Sequence, residues 1–204
     1  MAYHLLGLIS SALFLLTWYG LYRQIQTIEG RRVLGQPSTR NLSVNQFFSS
    51  YLAFYANFFF GMVLTQFNHY LVWTRLGALL LLIVILTRIW QERQSVASWF
   101  ILLISLLLLL GGGIASFFRP LPNIAELGTM VLMLSVTVLL VQGNMHQIWL
   151  VWRNKHPGDV SPALIKSIII KDISTLAFGF TLPLSQAWPL LVLNGASVIM
   201  RGIL

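Results

Sequence analysis

Cysteine is absent from the 204 residues. That excludes a disulfide framework, a thiolate nucleophile and a cysteine-ligated metal site. Charge is scarce as well, at 9% of residues against 57% hydrophobic. A soluble domain of this size could not hide so much apolar surface, so the composition belongs to an integral membrane protein. Arrangements that would support hydrolysis are missing too: there is no serine-histidine pairing, no paired carboxylates and no HExxH run. An enzyme is therefore not expected. His4, His69, His146 and His156 are scattered over different loops and ends, so neither a metal site nor a cofactor is expected. No basic region precedes the first apolar run and no small-residue cleavage site follows it, which predicts a retained span.

What the chain does have is seven apolar stretches able to cross about 30 Å of hydrocarbon as helices. They lie near 4–23, 46–65, 70–90, 97–118, 127–150, 163–182 and 186–203. The formal charge of +8 invites a nucleic-acid reading, but basic residues in short loops between apolar spans are what membrane orientation demands. The expected partner is the lipid bilayer, and nucleic acid is discounted. Arg31, Arg32 and Arg40, then Arg88 and Arg93, then Arg153 and Lys155 mark three cytoplasmic connections. The N-terminus is thus expected outside and Arg201 inside, in a plasma or bacterial inner membrane. Every tryptophan (Trp18, Trp73, Trp90, Trp99, Trp149, Trp152, Trp188) falls near a span end, as an interfacial aromatic belt requires.

An outline occurs twice along the chain. Gly20, Gln24 and Ile25 end the first span at the spacing with which Gly143, Gln147 and Ile148 end the fifth. A basic pair follows each (Arg31 and Arg32; Lys155 and His156), and a serine (Ser43; Ser161) opens the next span. Three spans reverse direction, so one more is needed before a second triplet can run parallel to the first. The leucine-rich fourth span is that inverter. The expected fold is all-α, with seven transmembrane helices in a 3+1+3 parallel-repeat arrangement. Its boundaries are 1–95 for the first triple-helix repeat, 96–122 for the linker helix and 123–204 for the second repeat. Asn41 or Ser43 can cap the second helix, and Ser161 followed by Pro162 reads as an N-cap with proline at the first helical position. Gly111, Gly112 and Gly113 either admit a close neighbour or loosen the end of the fourth span.

Glutamine late in the first helix of each triplet, then a basic loop, a serine and a second helix, resembles the PQ-loop superfamily, which includes the SWEET sugar transporters and the cystinosin-like amino-acid transporters. The resemblance runs from about 10 to 202. It marks Gln24 and Gln147 as the motif glutamines. Where family members carry the preceding proline, this sequence has Arg23 and His146, so the family's hinge proline is absent twice. Gly20 and Gly143, one turn earlier, can supply some of that flexibility. The resemblance also implies that Asp172 is the counterpart of the aspartate associated with proton coupling in cystinosin-like transporters. Asn194 likewise resembles the pocket asparagine in the last helix of a SWEET-type triplet, and the repeat pairs it with Thr74.

The residues have readings of their own. Asp172 and Lys171 lie mid-span, where ionisable groups are costly and usually line a pathway. A buried carboxyl can load and release a proton, or Asp172 can instead form a structural ion pair. Lys171 is offset by about 100° around the helix, so the two need not face one cavity; it can serve as a counter-ion or hold a substrate carboxylate. Counting from the opening serines, Asp172 matches Phe54 and Thr175 matches Asn57. Ser50, Phe54 and Asn57 share a helical face that could wall a pocket, and Asn57, Asn194, Thr74 and Thr175 are the candidate substrate contacts. For Asn194 the alternative is interhelical glue. Together these predict a transporter for a small polar solute, an amino acid or a sugar, working by alternating access, with proton coupling and a homo-oligomer left open. The competing expectation is a seven-helix receptor or trafficking protein that binds a ligand without moving it.

Overall fold

Inside lipid, backbone N–H and C=O groups have no water to bond, so apolar runs must satisfy them within a helix or a closed barrel. Among the described residues the chain forms seven α-helices and no strand. They are α1 (Ala2–Val33), α2 (Val44–Val63), α3 (His69–Arg93), α4 (Val96–Phe117), α5 (Asn123–Asn154), α6 (Pro162–Gly179) and α7 (Leu184–Ile203). The structure is a computed structural model that describes residues 1–39, 42, 44–154 and 162–203. Four of the helices, α1, α3, α4 and α5, are long and apolar enough to cross a membrane. The protein is a membrane protein.

Local chemistry sets the helix ends. The Asn68 side chain accepts from the Leu71 N–H at 3.1 Å and caps α3. Ser95 does the same for α4, accepting from Ser98 N–H at 3.2 Å. Pro162 is the first residue of α6, where its missing N–H costs nothing. The other expected caps, Asn41, Ser43 and Ser161, and the loop residues Arg40, Lys155 and His156, lie outside the described residues. The first and fifth helices outrun their apolar stretches. α1 continues through Gln24 to Val33 because no proline intervenes before Pro37, and it stops where Gly35 adopts a left-handed φ of 65°. There the Gly35 and Gln36 N–H groups bond back to the Arg32 and Arg31 carbonyls, a glycine-closed helix end. Arg31 and Arg32 thus stand on the last turn of α1, and Arg153 on that of α5. At those ends basic side chains complement the helix dipole.

The packing has a reciprocal form. α3 lies against both α1 and α2, and α7 lies against both α5 and α6. Between these groups α1 packs on α6 and α2 packs on α5, while α4 rests on α2 and α3. Small residues admit the closest approaches. A Cβ at Gly77 would lie 2.0 Å from the Trp18 ring, and one at Gly7 would lie 2.5 Å from the Tyr70 ring. Trp18 donates its indole N–H to the Thr74 carbonyl at 2.7 Å, so it belongs to the α1–α3 seam and not to a lipid-facing belt. Of the three consecutive glycines in α4, Gly112 is the one that admits a neighbour: its Cβ would lie 2.9 Å from Phe58, whereas Gly111 and Gly113 face open space. Tyr51 also donates its hydroxyl to the Ser105 carbonyl at 2.6 Å, which ties α2 to α4. One apolar cluster fills the space around α2 and α3 (Tyr51, Tyr55, Phe58, Leu79, Leu82). A second joins the two groups of helices (Ala56, Phe60, Met133, Phe178, Leu190).

The segment after α1 is held by the end of α3. Ser38 and Thr39 donate their backbone N–H groups to the Glu92 carboxylate, and Ser38 adds its hydroxyl. Arg93 donates to the Thr39 carbonyl at 2.6 Å. Arg88 pairs with Glu29 at 2.6 Å. Slight burial pushes the Glu92 pKa up, but the donors from Ser38 and Thr39 outweigh it and hold the carboxyl below its ordinary value. A carboxylate depressed on folding stabilises above its unfolded pKa, and that contribution is lost as pH falls through the folded value. Amide hydrogen exchange at Ser38 and Thr39 should therefore be slow at neutral pH and accelerate, beyond its intrinsic pH dependence, as pH falls through the depressed value of Glu92. In Glu92→Gln it should be fast throughout. Equal protection in the variant would show that Glu92 does not hold the segment.

Candidate functional site

The site is built where α1, α3, α6 and α7 come together. Asp172 is 2% exposed. A carboxylate so buried has to be paired, and here both oxygens are engaged. Lys171 Nζ lies 2.5 Å from Oδ1, and Arg201 Nη1 lies 3.0 Å from Oδ2. Ser197 donates its hydroxyl to Oδ2 at 2.5 Å, and Arg201 also reaches the Ser197 hydroxyl. Ser197 and Arg201 are four residues apart on α7, so they share one face. Lys171 and Asp172 do meet despite their angular offset, because the flexible lysine stem lets the ammonium swing round to its neighbour.

A third cation completes the cluster. Arg75, 2% exposed, donates to Thr74 Oγ1 at 2.8 Å, to Thr175 Oγ1 at 3.3 Å and to the Tyr70 carbonyl at 3.5 Å. Its Nε has no hydrogen-bond partner among the described residues. Its guanidinium sits 4.2 Å from the centre of the Phe14 ring, and Lys171 Nζ lies 5.6 Å from that ring and 5.8 Å from the Phe54 ring. Phe14 and Phe54 meet edge to face at 5.3 Å. Thr175 is in turn 3.4 Å from Ser10 on α1 and donates to the Lys171 carbonyl at 3.0 Å. The result is a buried cluster of two rings, four hydroxyls and three cations about a single carboxylate.

The structure thus brings together four of the expected residues: Asp172, Lys171, Thr175 and Thr74. Asn194 is buried one turn before Ser197 but donates its side-chain amide to the Leu190 carbonyl of its own helix at 2.8 Å. Asn57 does likewise to Ala53 at 2.8 Å, and its buried carbonyl oxygen has no partner among the described residues. Phe54, which shares its face, is the residue of α2 that reaches the cluster. Gln24 is half-buried, ten residues beyond Phe14 and so about 15 Å further along α1. The Gln147 and His146 side chains lie outside the described residues.

Arg75, Arg201 and Phe14 are the participants that sequence reasoning passes over. Arg75 reads as a residue near the start of a span, and Arg201 reads as a topology marker. A signal for both existed. Arg75 is adjacent to Thr74, the repeat partner of Asn194, and Arg201 falls one turn after Ser197. No family model matches the chain, and neither a curated protein nor a solved structure does.

Proposed function

We propose that the protein is a membrane transporter for a small polar solute, working by alternating access between two like-oriented three-helix units of PQ-loop type. In this reading all seven helices span the bilayer, residues 1–95 and 123–204 are the units, and 96–122 is the linker. The observation that carries it is the reciprocal packing. Exchanging α1 with α5, α2 with α6 and α3 with α7 maps the contacts between the two groups onto themselves, as two repeats about an axis along the membrane normal would require. The buried charge cluster straddles that boundary, with Ser10, Phe14 and Arg75 from one side and Lys171, Asp172, Thr175, Ser197 and Arg201 from the other. The Ser10–Thr175 and Arg75–Thr175 bonds and the contact of Lys171 with Phe14 cross the boundary, so a tilt of one unit breaks them and opens the site to water. Asp172 keeps Lys171, Ser197 and Arg201, which belong to its own unit, and is the carboxyl that this opening brings to water, where it can exchange a proton.

Uptake into liposomes carrying the purified chain tests this. Saturable counterflow of at least one solute from a panel of amino acids, sugars and organic acids is expected. Asp172→Asn should abolish any acceleration by an inward proton gradient. A silent panel combined with saturable binding would replace transport with a receptor that holds its ligand in place.

A further inference from the structure

Resting on that reading, the cluster also indicates the charge of the solute. Three cations, Arg75, Lys171 and Arg201, are gathered around one carboxylate in a region where isolated charge is expensive. Asp172 balances one of them, and its oxygens are already taken by Lys171, Arg201 and Ser197. With three donors on it, two of them cationic, it is a poor place for the ammonium of a zwitterion. Lysine can relieve the imbalance by giving up a proton, but arginine keeps its charge in proteins. Arg75 is therefore the cation with no anion in contact, since Asp172 acts on it only from beyond ion-pair distance. Among the described residues it has no acidic partner within ion-pair distance; it bonds only to neutral oxygens, and its Nε is left over.

We infer that Arg75 anchors a small organic anion, a carboxylate, in a site completed by Thr74 and Thr175 and roofed by Phe14. The planar fork of an arginine matches a carboxylate bidentately. The unpartnered Nε–H of Arg75 is a donor free for it, the Thr175 hydroxyl can turn its one proton from the Lys171 carbonyl to the anion, and the Phe14 and Phe54 rings offer apolar surface to a short carbon body. That surface favours an organic acid over inorganic phosphate or chloride. Arg75, Thr175 and Phe14 are closed off at 2%, 0% and 0% exposure, so the anion enters only when α1 and α3 part from α6. Binding should then stabilise the closed arrangement, because the anion neutralises the charge that opposes it.

Thermal unfolding of the full chain in detergent is the test, with lactate and succinate as probes and lactamide, succinamide, inorganic phosphate and chloride as comparisons. The carboxylates should raise the melting temperature in a saturable way, while the amides leave it unchanged. Arg75→Gln should weaken lactate and succinate binding roughly ten- to a hundredfold, the value of a charge-assisted pair. Arg75→Lys should lie between, and the exposed Lys166→Gln should match the parent. Equal shifts with the amides, or with phosphate and chloride, would overturn the site, and the parent protein alone decides this even if Arg75→Gln does not fold. Flux of a neutral solute with no carboxylate response would sink the anion site and leave the transporter standing. Carboxylate binding without flux would do the reverse.

Discussion

Asp172→Asn should destabilise the protein by about 3–5 kcal/mol, the usual cost of removing one partner from a buried ion pair. The physical reason lies in what remains. Lys171 and Arg201 would face each other, with Arg75 nearby, and the one acidic group that pairs with Lys171 and Arg201 among the described residues would be gone. Asparagine keeps the size of the side chain, so the loss comes from charge and not from a cavity. Unfolding by denaturing detergent in mixed micelles measures it. A second variant isolates the cause. Lys171→Met added to Asp172→Asn removes one of the stranded cations, and it should recover a substantial part of the loss. If the single variant costs less than about 1 kcal/mol, the surface-pair range, the cluster is wet and the ion pairs are weak. If the double variant is no better than the single, Asp172 stabilises through Ser197 or Arg201 instead.

Gly77→Ala should be the most damaging single methyl added to the helix seams. Its Cβ would sit 2.0 Å from Trp18, and the indole cannot simply step aside, because its N–H is bonded to the Thr74 carbonyl. Overpacking of this kind costs about 1–3 kcal/mol, and breaking the hydrogen bond adds about 1 kcal/mol. The same change at Gly20 or Gly143 meets nothing within 4 Å. There alanine should stabilise by about 0.5–1 kcal/mol, since glycine in a helix interior is the poorer helix former. Chemical unfolding of the three variants side by side checks the contrast in sign. If Gly20 and Gly143 supply flexibility to a moving unit, their alanine variants will be more stable and slower in uptake. Equal uptake would assign them no role in movement.

The helical fold was legible because charge and apolar length mark spans directly. α2, α3, α4, α6 and α7 begin and end close to their apolar limits. The length of α1 was not legible from hydropathy, since residues 24–33 are mostly polar, with Gly30 among them, yet hold no proline and stay helical until the turn at Gly35. Asp172 and Lys171 could be singled out from sequence because charge in mid-span is rare. Which partners they have depends on how α7 is rotated, and on α3 bringing Arg75 to the same place from almost a hundred residues away. Composition carries no information on either. Trp18 shows the limit of a positional rule: tryptophan near a span end is compatible with a lipid interface and equally with a glycine notch on a neighbouring helix. Only the partner, Gly77, decides between them. Asn57 and Asn194 illustrate another ambiguity, because a buried amide can satisfy part of itself on the carbonyl four residues back.

The 32 residues of α1 amount to about 48 Å at the usual helical rise. A bilayer offers only about 30 Å of hydrocarbon. In the proposed seven-span reading an upright α1 leaves roughly a third of its length clear of the acyl chains, packed on α3 through Ile28, with Glu29 strapped to Arg88 at its flank and Arg31 and Arg32 at its tip. In that reading one side of the membrane meets a stiff basic post.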